Sequence, residues 1–182
     1  IAGSYFSSNN AVSIDYTITA PSNITVKIEN KFGNVYLDNH EGNLNLSLSY
    51  GDIKANRLNG KSFINLVSGD GEVSYIKSGE LNVSYGNFHL REAIDLRTIT
   101  RSSNVTLDKV HNLNLDSRRD KIFIFDVLSL SGKSYFSTLN ITLLTGELTL
   151  EGRYGSLFVD KISRAVSAIH LTSELTDLTL NF

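Results

Sequence analysis

Apolar and polar residues alternate in short segments along most of the chain, and these segments recur at nearly constant intervals. The fullest copy of the repeat contains Leu44, Leu46, Tyr50, Gly51, Ile53, Ala55 and Leu58. In a β-strand, alternate side chains face one side of the sheet, so each L-x-L or I-x-L segment places two apolar groups inward. A helix needs apolar spacings of three and four, which these segments lack. The pattern therefore predicts an all-β chain.

One apolar column can be followed through the whole repeat region. Its members are Val35, Ile53, Val73, Phe88, Val105, Ile122, Leu139, Leu157 and Leu178. They stand 15 to 21 residues apart, most often 17 or 18. A single coil of this length cannot bury its apolar face, whereas stacked coils share one continuous core. We therefore expect a single-stranded, right-handed parallel β-helix, or β-solenoid, with about nine coils of 17–18 residues.

The Tyr-Gly step of the repeat interrupts the alternation. We expect a corner there, with the glycine adopting the unusual backbone conformation. In the middle coils the same position is occupied by Ser102-Ser103, Arg119-Asp120 and Phe136-Ser137. Residues 1–20 lack the repeat, but apolar residues alternate at Val12, Ile14, Tyr16 and Ile18. We therefore predict one domain, with a lead-in or capping strand in 1–24 and solenoid repeats in 25–182.

Composition narrows the classes of function. The chain is 41% hydrophobic and 20% charged, which is too apolar for a disordered protein. A net charge of -2 argues against nucleic acid as a partner. No apolar run approaches the roughly 18 residues of a transmembrane helix. The chain has no Cys, which excludes disulfides and thiolate sites, and it begins at Ile1 without containing any Met. We expect an extracytoplasmic protein (secreted, periplasmic or on the cell surface) whose leader has been removed.

Three segments carry a common motif: IENKFGNV at 28–35, LSLSYGDI at 46–53 and LNVSYGNF at 81–88. Together with the preceding IDYTITAP at 14–21, they resemble the adhesin-like β-solenoid family of bacterial envelope proteins, a domain of unknown function. The resemblance extends over about residues 12–182. It implies a secreted or envelope-anchored solenoid, and it brings no catalytic residues with it.

Basic residues recur on an outward stripe of the repeat. The stripe contains Lys31, Arg101, Arg118 and Arg153. Arg101 and Arg118 should be neighbours on adjacent coils, with Asp116 and Lys133 close by. We identify this grouping as a candidate surface-binding set. Its members are Arg101, Asp116, Arg118, Lys133 and Arg153.

The same residue types leave other interpretations open. A polysaccharide lyase or hydrolase on a β-helix could use Arg, Lys and Asp for acid–base chemistry. Such enzymes generally also hold calcium, but the acids expected on the surface, Asp108, Asp116 and Asp120, do not form one dense group. The simplest interpretation is a solvated face on which charges pair between coils, at about 0.2–1 kcal/mol per pair.

The aromatic and histidine residues are interpreted as structural. Aromatic side chains recur in the Tyr-Gly step as Phe32, Tyr50, Tyr85, Phe136 and Tyr154. An outward ladder of rings could stack on sugars, but we expect these rings to pack at the corner with the Tyr hydroxyls reaching water. The four histidines are His40, His89, His111 and His170. They fall at different offsets in separate coils, so we expect neither a metal site nor a cofactor, and no catalytic residue.

These patterns favour a non-enzymatic, extracytoplasmic, adhesin-like binding domain or surface scaffold. Its partner would be a cell-surface glycan or an extracellular or envelope protein, recognised over an extended polar face. One alternative is a structural solenoid that forms polymers by end-to-end self-association of its coils. The other is the polysaccharide lyase or hydrolase described above.

Overall fold

The structure, a computed structural model, describes residues 17–182 as one parallel sheet wound into a β-solenoid of about nine turns. The strands are β1 (Val26–Lys31), β2 (Val35–Leu37), β3 (Leu44–Ser49), β4 (Ile53–Val67), β5 (Asp70–Ser84), β6 (Asn87–Arg101), β7 (Asn104–Arg118), β8 (Lys121–Tyr135), β9 (Thr138–Ile162) and β10 (Ala168–Leu180). They lie in the order β1-β3-β4-β5-β6-β7-β8-β9-β10, and β2 pairs with β4. The predicted all-β solenoid is confirmed. Among these residues there is no helix of the length and apolarity that crossing a membrane requires.

Strands β4 to β8 are each 15 residues long, so each makes almost a complete coil. Inward and outward side chains alternate along them, as the period of two requires. In β7 the buried apolar residues are Val105, Leu107, Val110, Leu113 and Leu115. The corresponding residues of neighbouring coils stack on them, so the core is one continuous apolar column through the solenoid.

The backbone ladder between coils continues through the corners. The Phe32 amide donates to the Ser49 carbonyl at 2.9 Å, and the Tyr50 amide donates to the Val67 carbonyl at 2.9 Å. In the opposite direction along the stack, the Asn104 amide donates to the Gly86 carbonyl at 3.0 Å. These bonds give backbone groups on both sides of the turn a partner in a neighbouring coil, which lowers the cost of the bend.

The unusual backbone lies one residue before the position expected. Among residues 17–182, nine residues have φ between 49° and 62°, and none of them is glycine: Phe32, Tyr50, Ser68, Tyr85, Ser102, Arg119, Phe136, Tyr154 and Leu175. The following residue is glycine in several coils for a different reason. A Cβ on Gly51 would overlap the carbonyl oxygen of Gly33 in the preceding coil. The glycine is thus required for close packing between coils. The left-handed conformation of each residue before it lowers the stability of the fold by on the order of 1 kcal/mol.

The third coil corrects the predicted register of the apolar column. Ile53 pairs with Gly71, and Gly71 pairs with Phe88. Val73, which was predicted to occupy this column, lies in the next one and pairs with Ala55. A Cβ on Gly71 would overlap the Phe88 ring, so glycine stands here to make room for a buried phenylalanine. The intervals around this coil are therefore 18 and 17 residues.

The lead-in segment and the last coil differ from the repeat. Residues 17–25 form no strand, and Ile18 is 87% exposed, so Ile18 does not cover the first coil. Val12, Ile14 and Tyr16 of the predicted lead-in strand lie outside the described residues. A turn at 163–167 separates β9 from β10, and Leu178 pairs with Leu157 across an interval of 21 residues.

Replacing Gly71 by alanine should destabilise the fold by about 1–3 kcal/mol, because the added methyl group meets the Phe88 ring in a packed core. The double variant Gly71→Ala/Phe88→Leu should recover part of this loss, since the smaller side chain leaves room for the methyl group. Urea unfolding followed by circular dichroism measures both effects. Additive losses in the double variant would show that residues 71 and 88 do not share a column.

Candidate functional site

The left-handed corner places aromatic rings outside the core. We call the nine non-glycine residues with positive φ the corner ridge. Phe32 is 72% exposed, Tyr85 is 67% exposed and Tyr154 is 45% exposed. The expectation that these rings pack at the corner is therefore wrong. Apolar side chains on either side of the ridge, such as Leu48 and Ile53, already fill the interior, so the rings project into solvent.

Neighbouring rings of the corner ridge stack where adjacent coils both carry one. Phe32 and Tyr50 have ring centroids 5.2 Å apart and planes 15° apart. Phe136 and Tyr154 are 4.9 Å and 10° apart. These spacings follow the distance of about 4.8 Å between neighbouring strands. The Lys31 ammonium lies 5.0 Å from the centroid of Phe32 and adds a cation–π contact.

The predicted basic stripe runs directly beside the corner ridge. Arg101 pairs in register with Arg118, which pairs with Tyr135, and Tyr135 pairs with Arg153. Arg119, which belongs to the corner ridge itself, follows Arg118 in sequence and adds a third arginine to the two neighbouring coils. Within residues 17–182, the three arginines Arg101, Arg118 and Arg119 form no ion pair.

The remaining predicted residues are organised around Glu151, which sequence reasoning did not identify. The Tyr135 hydroxyl donates to Glu151 Oε1 at 2.7 Å. Lys133 Nζ lies 3.4 Å from Glu151 Oε2, and Arg153 Nη2 lies 3.2 Å from Oε1. The Tyr135 hydrogen bond is the largest influence that lowers the pKa of Glu151. Asp116 pairs in register with Lys133 and makes a small contribution to the raised pKa of that lysine, which arises mainly from its hydrogen bond to Glu151.

The structure therefore divides the candidate set into two groups. Lys133 and Arg153 are brought together by a shared carboxylate, with Asp116 beside them. Arg101 and Arg118 stand beyond this cluster, on the two preceding coils. The 17-residue spacing from Arg118 to residue 135 could have indicated Tyr135 as a member of the stripe, because that residue occupies the same column.

Asp120 is buried, with 3% of its surface exposed, and is not one of the surface acids. Its Oδ1 accepts a hydrogen bond from the Ser103 amide at 2.8 Å. Its Oδ2 accepts from Thr100 Oγ1 at 2.6 Å, from Ser117 Oγ at 2.8 Å and from the Arg118 amide at 2.7 Å. This carboxylate braces the corner and fixes the backbone at Arg118.

The other titratable residues that were considered lie apart from the corner ridge. Asp108 lies on a different segment of the coil, where its Oδ1 is 2.9 Å from His89 Nε2. His111 lies on β7 with Asp108, and His40 and His170 belong to two further coils. Within residues 17–182, no three His, Cys, Asp or Glu side chains are grouped as metal ligands.

Replacing Asp120 by alanine should cost about 3–5 kcal/mol, because it leaves two buried hydroxyls and two backbone amides without their acceptor. Asp116→Ala on the same coil is the matched control and should change stability by less than about 0.5 kcal/mol. Chemical unfolding measures both. Equal losses in the two variants would contradict the bracing role of Asp120.

The Tyr135 hydroxyl should titrate above the ordinary tyrosine value of about 10, because Glu151 accepts a hydrogen bond from its neutral form. Because the pKa of Tyr135 is raised in the folded state, its hydrogen bond stabilises the fold fully at pH values below the pKa of the unfolded state. This stabilisation is lost as the pH rises through the pKa of the folded state. Glu151→Gln should lower the Tyr135 midpoint, and Lys133→Gln should raise it by removing a nearby positive charge. Carbon-13 NMR of the Tyr135 ring measures the midpoint. A shift in the same direction in both variants would contradict the assignment.

Part of the chain matches a known protein family. Residues 7–94 match the model of a protein family described as Toastrack DUF4097. All three motif segments, 28–35, 46–53 and 81–88, lie inside this match, which ends within β6. No curated protein and no solved structure matches the chain.

Proposed function

Residues 7–94 belong to the Toastrack DUF4097 family, a domain of unknown function with a solenoid fold, and from this premise we propose a function for the corner ridge. The protein is an extracytoplasmic, non-enzymatic, adhesin-like binding domain that holds an anionic glycan along the corner ridge and the basic stripe beside it. The proposal is carried by one observation, the three adjacent arginines that have no acidic partner within residues 17–182.

These arginines differ from basic residues elsewhere on the surface. On another face, Arg91 and Lys54 both pair with Glu72, at 3.0 Å and 3.4 Å. Charges in such pairs are compensated within the protein and contribute little to recognition. The guanidinium groups of Arg101 and Arg118 are exposed and lie on neighbouring coils. A guanidinium binds a carboxylate or sulfate through two parallel hydrogen bonds, which matches the acidic groups of such a glycan.

The aromatic rings of the corner ridge would bind the sugar rings of the glycan, while the arginines bind its acidic groups. Tyr85 lies on the coil before the arginines, and the stacked Phe136 and Tyr154 lie on the two coils after them. The C–H face of a sugar ring packs against an aromatic face that no neighbouring ring covers, such as that of Tyr85, whose neighbours on the ridge are Ser68 and Ser102. Rings on both sides of the arginines therefore suit a linear glycan whose acidic groups contact the middle coils.

The regular spacing of the coils suits a polymer better than a single small molecule. Nine coils at about 4.8 Å per step give a surface about 40 Å long. Each exposed contact is weak in water, but contacts to successive units of one chain act at high effective concentration. The ligand is thus expected to be bound through many repeated contacts.

The Glu151 cluster supports binding more than turnover. Its carboxylate accepts the Tyr135 hydrogen bond and contacts both Lys133 and Arg153, so these groups are committed to one another. General acid–base catalysis needs a group that can reach and exchange a proton with the substrate. The cluster instead stiffens the end of the basic stripe.

Chondroitin sulfate and polygalacturonate should bind the purified chain, and dextran should not. The triple variant Arg101→Gln/Arg118→Gln/Arg119→Gln should weaken binding of the acidic polymers about tenfold or more, since it removes three charge-assisted contacts. The matched control is Lys77→Gln/Arg91→Gln/Lys109→Gln, which removes the same charge from other parts of the coil. Biolayer interferometry with the immobilised polymers measures the affinities.

Two results would contradict the proposal. Equal losses in both triple variants would show attraction to net charge without a defined site. Release of unsaturated uronates from polygalacturonate, abolished by Arg118→Ala, would show that the protein is a lyase. Salt should weaken genuine binding, because the contacts are between exposed charges.

A further inference from the structure

A concave surface runs along the solenoid axis, on a different part of the coil from the corner ridge. It has a volume of about 640 Å³ and extends from β4 to β9. We call it the axial trough. Inward-facing Leu96, Leu113 and Leu130 lie beneath it, each no more than 3% exposed. The outward residues on either side of each leucine form its two rims. At about 4.8 Å per coil, five steps give a length of about 24 Å.

The first rim is a register column of the sheet. It contains Lys61, Ser78, Asp95, Asn112, Ser129 and Glu147. Asn112 Nδ2 donates to Asp95 Oδ1 at 2.6 Å, so an amide and a carboxylate are fixed on neighbouring coils. The Asp95 carboxylate has further acceptor capacity and faces the trough, where it can accept from a hydroxyl group.

The second rim has the same polar character. It contains Glu80, Arg97, Asn114, Ser131 and Thr149. Asn114 Nδ2 donates to Ser131 Oγ at 3.0 Å, and Arg97 Nε lies 3.8 Å from Glu80 Oε2. Amide and hydroxyl groups therefore outnumber charged groups, and the arginine of this rim is already beside an acid.

The charges of the axial trough differ from those of the basic stripe. Its lining contains two basic residues, Lys61 and Arg97, and three acidic residues, Glu80, Asp95 and Glu147, for a net charge of -1. A polyanion would gain nothing from this surface. Phe63 continues the column of the second rim on β4, beside Glu80, but the rim residues that line the trough carry no large apolar side chain. An apolar peptide or a lipid would therefore also gain little.

A ligand in the axial trough can be recognised only by side chains, because the backbone groups of the strands are already paired. The strands beneath the trough pair on both edges with neighbouring coils, so no edge is open for an added strand. Mixed donors and acceptors at one step per coil suit a linear ligand with hydroxyl groups at regular intervals.

We propose that the axial trough binds an uncharged, hydroxyl-rich linear chain, a neutral oligosaccharide. Asn112 and Asn114 donate to its hydroxyl oxygens, and Asp95 accepts from its hydroxyl groups. This site is separate from the corner ridge and takes a ligand of different charge.

The test uses cellohexaose, chitohexaose and mannohexaose with the full chain labelled with nitrogen-15. At least one of the three should shift the amide resonances of residues lining the trough, with a dissociation constant below about 1 mM. Asn112→Ala/Asn114→Ala should weaken that binding about tenfold or more, because two amide donors are lost. The matched control is Asn87→Ala/Asn104→Ala, which also removes two exposed amides, on another part of the coil, where Asn104 Nδ2 donates to Asn87 Oδ1 at 2.9 Å.

The outcomes separate this proposal from the function proposed for the corner ridge. Binding should persist in the Arg101→Gln/Arg118→Gln/Arg119→Gln variant, whatever that variant does to acidic polymers. The proposal is overturned if none of the three oligosaccharides binds, if the shifted resonances lie on the corner ridge, or if the two asparagine pairs weaken binding equally.

Discussion

The positions of the core and surface residues of this protein depend on the backbone hydrogen bonds between successive coils. They hold each coil in register with the next at an interval of 17 or 18 residues through most of the chain, and they persist through the corners. Because the register is continuous, a residue type that recurs along the sequence becomes a row of side chains in space. The core, the corner ridge and both rims of the axial trough are all rows of this kind.

Much of the fold could be predicted from the period of the apolar residues, because each coil repeats the same inward positions. The prediction was wrong at Val73. The residue that pairs with Ile53 is Gly71, which has no apolar side chain, so the pattern points instead to the neighbouring apolar residues Val73 and Tyr75. The prediction was also wrong about the corner, where Tyr50 and its equivalents adopt positive φ. Positive φ is usually adopted by glycine. Here the glycine of the Tyr-Gly step is needed instead because a Cβ would overlap the backbone of the preceding coil.

The surface was less predictable than the core. The column of Arg101, Arg118 and Arg153 followed from spacing alone, because register decides which outward residues are neighbours. The burial of Asp120 could not be predicted from spacing. An acid at this position of the repeat points inward only where hydroxyl and amide groups of adjacent coils donate hydrogen bonds to it. The axial trough depends on the bend of the coil in cross-section, which no repeat pattern describes. A basic convex ridge and a nearly neutral concave trough thus arise from one repeat.

The stacking of coils also determines how the protein responds to pulling. Strands β1 and β10 lie at opposite ends of the sheet, and each coil is bonded only to its two neighbours. Tension applied along the axis therefore loads the end interfaces first, and the coils should peel away one after another instead of shearing together. Each detachment would release about 60 Å of extended chain for a coil of 17–18 residues. A rod built in this way lengthens in steps and dissipates work while its remaining coils stay folded.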